Sequence, residues 1–543
     1  MRAAAGNGVP ALPCRSNRPV AMNSSRLQRW VPLLVWIAVP ATFILIVFQI
    51  LSYGFVPAGD ARRHVAKVMT DKEYNQIVVL RPEYKIDHSP GWDWILRRLH
   101  RLAGWNEDKL MSFSVAAMML CVFLAGLPWL RRPEAWMAAL LAQMVAVPET
   151  MLRLDQGRPF LLSEGVLAGI LFAWGRDRAE KPSWQKIVLT TAGFALSVWV
   201  HGTWYLWVFV LGGFLLAGAW RQALRLSGCW AAGVIAGALL SGKPAAFLYG
   251  AVYMAAAVYR EHAPAWLLVG EFQPGDGEFY TLAVLALVYL WRRQQQSGRI
   301  PRDANAPCAA EPPRPSSPSP AQTCGTEGRG EEAGSQFMES GGLLRQPVFW
   351  MIAIFWTLGF QADRFWADWG LPAALVWLAL QFDGWMAEEW PAESGRRLLF
   401  CGLLAAALFL DCTSDSKSRF TKNLREPFLD GSNPALQGWL PEGDGIFYSA
   451  DMSFFYDTFY HNPQARWRYI LGFEPALMPE EDLKILRHMQ WNHWDWPTWQ
   501  PWIQKMRPQD RVEIPNAGPP PIPELEWRAG ADGLWIGRKP QGK

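Results

Sequence analysis

The stretch Gly59-Asp60-Ala61-Arg62-Arg63-His64, continued by Asp87-His88-Ser89-Pro90-Gly91-Trp92-Asp93-Trp94, decides how the chain is to be read. It follows directly on an apolar run from Val31 to Phe55. Roughly 20 mostly apolar residues cross a bilayer as a helix, so the run reads as a span and the stretch as the first polar segment beyond it. Arg26 and Arg29 precede the run, which is too long for a signal-peptide core and has no convincing cleavage site. It reads as a signal anchor. Asp, Arg and His at a membrane face are not required to build a helical bundle. Such a grouping suits a phosphate-bearing lipid held beside a carboxylate.

Working outward, the chain has 543 residues, 51% of them hydrophobic, with 32 Trp and a formal net charge of +4. Long apolar runs alternate with strongly polar segments, the composition of a polytopic membrane protein with soluble parts. A net charge this small and scattered argues against nucleic acid as a partner. The cysteines are sparse and unpatterned, so no disulfide framework is implied. Candidate spans run over 31–54, 111–130, 133–151, 160–175, 187–201, 203–219, 229–250, 279–292, 346–361, 370–388 and 397–411, about eleven in all. With the N-terminus inside, Arg131 and Arg132, the group from Arg176 to Lys186, Arg221 and Arg225, Arg292 and Arg293, and Arg396 and Arg397 all fall on the cytoplasmic side. That is what the positive-inside rule requires.

This threading predicts a mainly α, polytopic fold in three parts: a cytoplasmic tail (1–30), a transmembrane domain (31–411) and an outer soluble α/β domain (412–543). The transmembrane part carries a first outer loop at 55–110. It also carries a cytoplasmic loop at 293–346 whose Pro, Ser, Gly and Glu content predicts disorder. In the outer domain, Gly445 to Ala450 reads as a strand entering a helix, and Pro479 to Met489 as a further helix. No internal repeat is evident.

The polar groups of the outer loops are the candidates for chemistry. Asp60, His64 and Lys67 are spaced to share one helical face. Trp92 and Trp94 begin a segment that looks amphipathic through Ile95, Leu96 and Leu99, suggesting a helix at headgroup depth. In Arg153-Leu154-Asp155-Gln156-Gly157-Arg158-Pro159 two arginines on the outer face break the positive-inside bias, which favours a bound anion, or else an Arg–Asp pair closes a loop. Glu164 lies within the following span, where an ionisable residue is costly and usually functional. His201 stands at an outer turn, able to bridge phosphate or cap a helix. Lys243 contacts phosphate or snorkels, and Arg364 binds a phosphate or pairs with Asp363 or Asp368. No phosphate-binding Gly-rich loop, His-Glu-x-x-His or paired Cys-x-x-Cys is present.

The order Gly59-Asp60-Ala61-Arg62-Arg63-His64-Val65-Ala66, then Ser89-Pro90-Gly91-Trp92-Asp93-Trp94-Ile95-Leu96, then Gly104-Trp105-Asn106-Glu107 and a new span, resembles the opening of the GT-C glycosyltransferases. The resemblance is closest to the protein O-mannosyltransferase and aminoarabinose transferase branch. It is good over residues 30–175 and architectural beyond. The chain departs in having His64 where an aromatic is common, and in lacking a Lys-Pro-Pro run.

The resemblance implies a transferase that takes a sugar from a polyprenyl-phosphate carrier to an acceptor hydroxyl on a lipid, polysaccharide or protein. Asp60 matches the first-loop carboxylate that acts as, or positions, the general base, and Asp155 or Glu164 is the second acid. A carboxylate can take the proton that an attacking hydroxyl loses. A phosphate leaving group needs cationic or imidazole donors; His64, His88, Arg153, Arg158, His201, Lys243 and Arg364 are the candidates, with Asp87 beside them. Pairing of Asp60 with Arg62 or Arg63, or a capping role, is the plain alternative. No metal is expected, although Asp60 with a second acid suits a divalent cation. A transporter or flippase of a lipid-linked anionic glycan is the competing reading. It predicts repeated halves and charges near the midplane rather than at the outer loops. The expected location is a bacterial inner membrane, N-terminus cytoplasmic and C-terminal domain periplasmic.

Overall fold

The computed structural model describes residues 24–57, 59–84, 88–175, 181–260, 263–275, 279–298, 342–392, 394–425, 427–531 and 533–540. Asp87, the tail before Ser24 and most of the loop 293–346 lie outside the described residues. In chain order the helices are α1 (Ser24–Ser52), α2 (Asp60–Thr70), α3 (Tyr74–Ile77), α4 (Pro90–Ala103), α5 (Glu107–Ala125), α6 (Glu134–Ala146), α7 (Glu149–Leu154), α8 (Phe160–Gly175) and α9 (Trp184–Val200). They continue with α10 (Trp207–Leu216), α11 (Trp220–Leu240), α12 (Pro244–Arg260), α13 (Phe279–Gly298), α14 (Pro347–Gly359), α15 (Asp363–Phe365), α16 (Leu371–Glu389) and α17 (Gly395–Thr413). The chain is mainly helical, with a small sheet near its C-terminus.

Three of the described helices are long and apolar enough to cross a membrane: Arg29–Ser52, Glu107–Trp129 and Trp220–Leu240. Glu134–Ala146, Phe160–Gly175, Trp204–Leu216 and Pro347–Gly359 are shorter apolar helices. The outward faces of α1, α9 and α17 leave Leu33, Ile37, Phe48, Val188, Leu189, Leu399 and Leu410 exposed. Apolar surface on this scale is unusual for a water-soluble protein and fits contact with lipid. The expected span at 229–250 is displaced. The chain turns at Ser241-Gly242-Lys243, where Gly242 has φ 76°, and Pro244 opens α12. Proline tolerates the first turn of a helix and not its interior, so the break falls where the sequence places it.

Charged groups gather at the two ends of the helical bundle. At one end Arg397 binds Glu134 (Nε to Oε1, 2.5 Å), the Arg132 backbone N–H donates to Asp383 at 2.8 Å, and Arg292 pairs with Glu388 at 2.8 Å. The basic residues assigned to several different loops on one side thus come together. The opposite end carries α2 and the remaining candidate residues.

The C-terminal region forms a five-stranded sheet from β1 (Ile446–Tyr448), β2 (Arg468–Tyr469), β3 (Arg511–Pro515), β4 (Glu526–Ala531) and β5 (Leu534–Arg538), in the order β2-β1-β3-β5-β4. β1 is parallel to both neighbours, and β5 is antiparallel to β3 and β4. The crossover between β1 and β2 is α18 (Met452–His461), as the strand-to-helix reading of 445–450 predicts. α19 (Glu480–Trp491) matches the second predicted helix, and α20 (Gln500–Lys505) follows it.

The loop that follows α1, expected at 55–110, does not stand apart from this domain. Val78 forms a parallel bridge to Tyr469 at the β2 edge, and the backbone N–H groups of Val79 and Arg81 donate to Tyr469 and Leu477, each at 2.9 Å. Tyr74, Ile77, Val78 and Tyr84 share one apolar core with Phe447, Phe455, Tyr469 and Phe473. A Cβ at Gly472 would come within 2.8 Å of Val78, so only glycine permits this approach. Two segments expected as separate bodies therefore pack as one. Trp92 is also corrected: it is buried, stacked on Phe113, while Trp94 stays exposed. Only part of the amphipathic face of α4 is free to meet a headgroup layer.

Glu513, at the centre of β3, is fully buried. It accepts a hydrogen bond from Ser449 Oγ at 2.7 Å through one oxygen, while Oε1 has no partner among the described residues. Burial, with a smaller contribution from Asp451, pushes its pKa from 4.5 up to about 8 against the opposing Ser449 bond. The folded domain holds a proton that the unfolded chain has already released. Stability is therefore lost as pH rises from 4.5 to about 8. Glu513→Gln removes this dependence. Thermal unfolding of the full chain in detergent should show the variant gaining on wild type as pH increases from about 5 to 8, in line with that linkage; a constant difference across the range contradicts the assignment.

Candidate functional site

α2 starts immediately after Gly59, whose φ of 96° is open to glycine and strained for other residues. Asp60 is the first helical residue, so its carboxylate meets the positive end of the helix dipole. The rotation of α2 is fixed by a buried carboxylate on α4. Asp93 accepts from His64 Nδ1 and from Lys67 Nζ, each at 2.6 Å. Because His64 Nε2 lies 3.2 Å from an Arg63 N–H, its lone pair accepts there, which assigns the ring proton to Nδ1. His64 and Lys67 do share a face, as predicted, but that face is turned inward.

Arg63, wholly buried, links this latch to Asp60. Its Nε donates to Asp60 Oδ1 at 3.2 Å, one terminal nitrogen donates to Tyr74 at 2.5 Å, and its guanidinium lies 4.2 Å from the Phe473 ring centroid. Of the two arginines proposed as partners for Asp60, Arg63 is the one; Arg62 pairs instead with Asp457 on α18.

The Arg153–Pro159 turn lies against the start of α2. Gly157 has φ 61°, and a Cβ there would fall 3.2 Å from the Val115 nitrogen and 3.4 Å from Ala61 Cβ. Ser114 Oγ donates to the Gly157 carbonyl at 3.1 Å. The turn is thereby held beside the residue that follows Asp60. Arg158 pairs with Glu271, and Arg364 reaches Glu271 at 3.7 Å and Asp368 at 2.9 Å. Arg153 binds Asp368 at 2.8 Å and Asp363 at 3.0 Å. The Arg364–Asp368 pair raised as an alternative is observed, whereas Arg153 closes no loop with Asp155 and pairs with Asp363 and Asp368, 210 and 215 residues away.

These groups shape one another's ionisation. Burial would raise the Asp60 pKa, but Arg63 and then Arg158, helped by His64 and His88, hold its carboxyl well below the usual range. Glu271 is likewise lowered, because Arg158 and Arg364 outweigh its burial. Asp60, Arg158, Glu271 and Arg364 lie deep enough for burial to be the largest single influence on each. Each nevertheless keeps between 24% and 28% of its side chain accessible. Deep groups that retain access line a recess.

The other predicted residues are placed variously. His88 and His201 are buried as an edge-to-face pair 5.5 Å apart; His88 Nδ1 lies 3.4 Å from the Tyr84 hydroxyl and His201 Nδ1 3.3 Å from that of Thr203. Asp155 is buried on a different side, facing Arg419, and burial pushes its carboxyl well above the usual range. Glu164 lines a mostly apolar cavity with Gln143, Thr150, Arg153 and Leu371, Arg153 being common to this cavity and to the ion-pair network. Lys243 is exposed just ahead of α12. Sequence reasoning missed Asp93 and Glu271, and named Arg63 only as an alternative partner of Asp60. An aspartate flanked by two tryptophans on an amphipathic helix was a usable signal for Asp93. Glu271 carried none, since it meets Arg158 across 113 residues.

Asp93→Asn removes the charge that receives both His64 and Lys67 inside the protein. Breaking a buried pair costs about 3–5 kcal/mol, so denaturant unfolding should show a loss of that order. An unchanged midpoint would mean that the latch contributes nothing. No protein-family model matches this chain, and no curated protein matches it either.

Proposed function

We propose that the chain is a membrane-embedded glycosyltransferase that moves a sugar from a polyprenyl-phosphate carrier to an acceptor hydroxyl, in the manner of the GT-C enzymes its opening resembles. The observation that carries the reading is the shared recess: Asp60, presented at a helix start, stands beside a turn and a loop that bring in Arg158 and Arg364. In this reading the acceptor O–H points to Asp60. The hydroxyl oxygen attacks the anomeric carbon as its proton passes to the carboxylate, and the bond from that carbon to the phosphate oxygen breaks. One displacement inverts the anomeric centre. The departing polyprenyl phosphate keeps the bond electrons, and its added charge is met by the two guanidiniums.

The arginines also keep Asp60 a weak base before substrate arrives. A bound phosphate brings negative charge to the same place and offsets them, so Asp60 gains basicity when the donor is present. Glu271 lies between Arg158 and Arg364, where a carboxylate stands in for the phosphate, and the donor takes its place. Arg63 and the His64–Asp93–Lys67 group position Asp60. His88 and His201, both buried, lie within electrostatic reach of Asp60, Arg153 pairs with Asp363 and Asp368, and Glu164 is the second acid favoured over Asp155 because Arg153 and Asp368 lie near it. The lipid tail lies along the apolar helices. We further read about eleven spans, a bacterial inner membrane, a cytoplasmic N-terminus and a periplasmic recess.

Purified protein incubated with a panel of polyprenyl-phosphate sugars and its membrane acceptors should release free polyprenyl phosphate. Removing a general base costs about 10²–10⁴-fold, so Asp60→Asn should lose at least about a hundredfold in kcat while donor binding persists. Arg158→Gln should raise the donor KM instead. Equal release by wild type and Asp60→Asn removes Asp60 from the chemistry.

A further inference from the structure

The recess is not built from the helical bundle alone. α18 crosses α2, where Asp457 pairs with Arg62. The preceding residue, Tyr456, is partly exposed, and its hydroxyl lies within the electrostatic reach of Asp60, Arg63, Arg158 and Glu271. That hydroxyl makes no hydrogen bond among the described residues. Further along, Phe473 covers Arg63 and lies 5.8 Å from His88. Its neighbour Glu474 opens a turn in which Ala476 packs with Ala257, Val258, Leu268 and Phe272. This is the segment that carries Glu271, and Arg364 lies 5.7 Å from the Phe272 ring centroid. Glu474 is thereby brought within electrostatic reach of Arg364, Glu271 and Arg487. One of its oxygens accepts from the Ala476 N–H at 3.3 Å, which leaves its other oxygen available.

Within electrostatic reach of Arg158 and Arg364, then, the C-terminal domain supplies a phenol and a carboxyl with unused hydrogen-bonding capacity. Whatever is attached to a phosphate held by Arg158 and Arg364 on the side of the outer domain must meet these two groups. We propose that Tyr456 and Glu474 form a sugar-recognising wall, so that the outer domain selects the glycosyl group while the arginines hold its phosphate. The proposal rests on the reading of the recess as a site for a polyprenyl-phosphate sugar. The chemistry suits hydroxyl-rich ligands. The Tyr456 phenol is kept protonated by burial and by Asp60, and burial pushes Glu474 up to about 7, opposed by the Ala476 N–H and by Arg364. A carboxyl poised there donates to a sugar oxygen when protonated and accepts from a sugar hydroxyl or amine when ionised.

The test is binding of decaprenyl phosphate, and of its mannose, glucose and aminoarabinose esters, to the full chain in nanodiscs. Two or three added hydrogen bonds at about 1 kcal/mol each predict that wild type binds at least one ester about tenfold or more tighter than the bare lipid. Tyr456→Phe and Glu474→Gln should each cut that preference by about threefold or more, leaving affinity for the bare lipid within about twofold. The bare lipid thus reports that each variant is folded. Between about pH 6 and 8 the preference should follow different courses in wild type and Glu474→Gln, since ionisation of the bare lipid's phosphate shifts both alike and Glu474 titrates only in the former. Preference retained in both variants, or no preference in wild type, overturns the proposal. Release of decaprenyl phosphate from the preferred ester, with membrane acceptors supplied, judges transfer separately. A preference that needs Tyr456 and Glu474 without any release keeps the wall and rejects the transferase; release with a preference indifferent to both residues does the reverse.

Discussion

The Asp93 carboxylate receives His64 and Lys67 at 2.6 Å each inside the protein, and this contact sets the face that α2 turns toward the recess. A helix docked only by apolar contacts tolerates small rotations about its axis. Two charge-assisted hydrogen bonds to one buried carboxylate do not. With α2 fixed, Arg63 is held by Tyr74, His64 and the Phe473 ring, and Asp60 is presented at the helix start rather than lost into a surface pair. The cost of burying these charges is offset only because each has a partner.

The second constraint is close approach. Gly157 lets the Arg153–Pro159 turn press against Ala61 and Val115, and Gly472 lets the C-terminal domain press against Val78. These contacts bring three distant stretches of chain to one place: the first loop, the turn before α8, and the outer domain. The electrostatics follow from that convergence. Four arginines and four carboxylates (Arg63, Arg153, Arg158 and Arg364; Asp60, Asp363, Asp368 and Glu271) balance in a recess too deep to leave any of them unpaired. An incoming anion must therefore exchange for a carboxylate already in position. That explains how a site so rich in arginine is stable when empty.

Much of the architecture was legible because it depends on local pattern. Apolar runs and Gly445 to Ala450 ahead of a helix each encode their own element, while the break at Gly242 and Pro244, which falls inside the expected span 229–250, was passed over. Asp60 and the Arg153–Pro159 turn stood out for another reason: charges at the end of an apolar run require an explanation that a solvated loop seldom supplies. What could not be read was pairing. Nothing in the neighbourhood of Asp93 says that it meets His64 across 29 residues, or that Arg153 prefers Asp363 and Asp368 to the adjacent Asp155. The union of first loop and outer domain was hidden likewise, because the partners Val78 and Tyr469 are ordinary strand residues and only their tertiary juxtaposition identifies them. Lys243 shows the converse: a basic residue on the right face, near the right helix, that is simply exposed.

The central claim is that the recess at the start of α2 receives the phosphate of a polyprenyl carrier. The most direct measurement is an experimental structure of the full chain with decaprenyl phosphate bound. The account predicts phosphate oxygens within hydrogen-bonding distance of Arg158 and Arg364, Glu271 moved off both guanidiniums, and the Asp60 carboxylate open to the same space. A phosphate bound instead in the cavity beside Glu164, or on the outer surface with the Arg158–Glu271 pair intact, would contradict it.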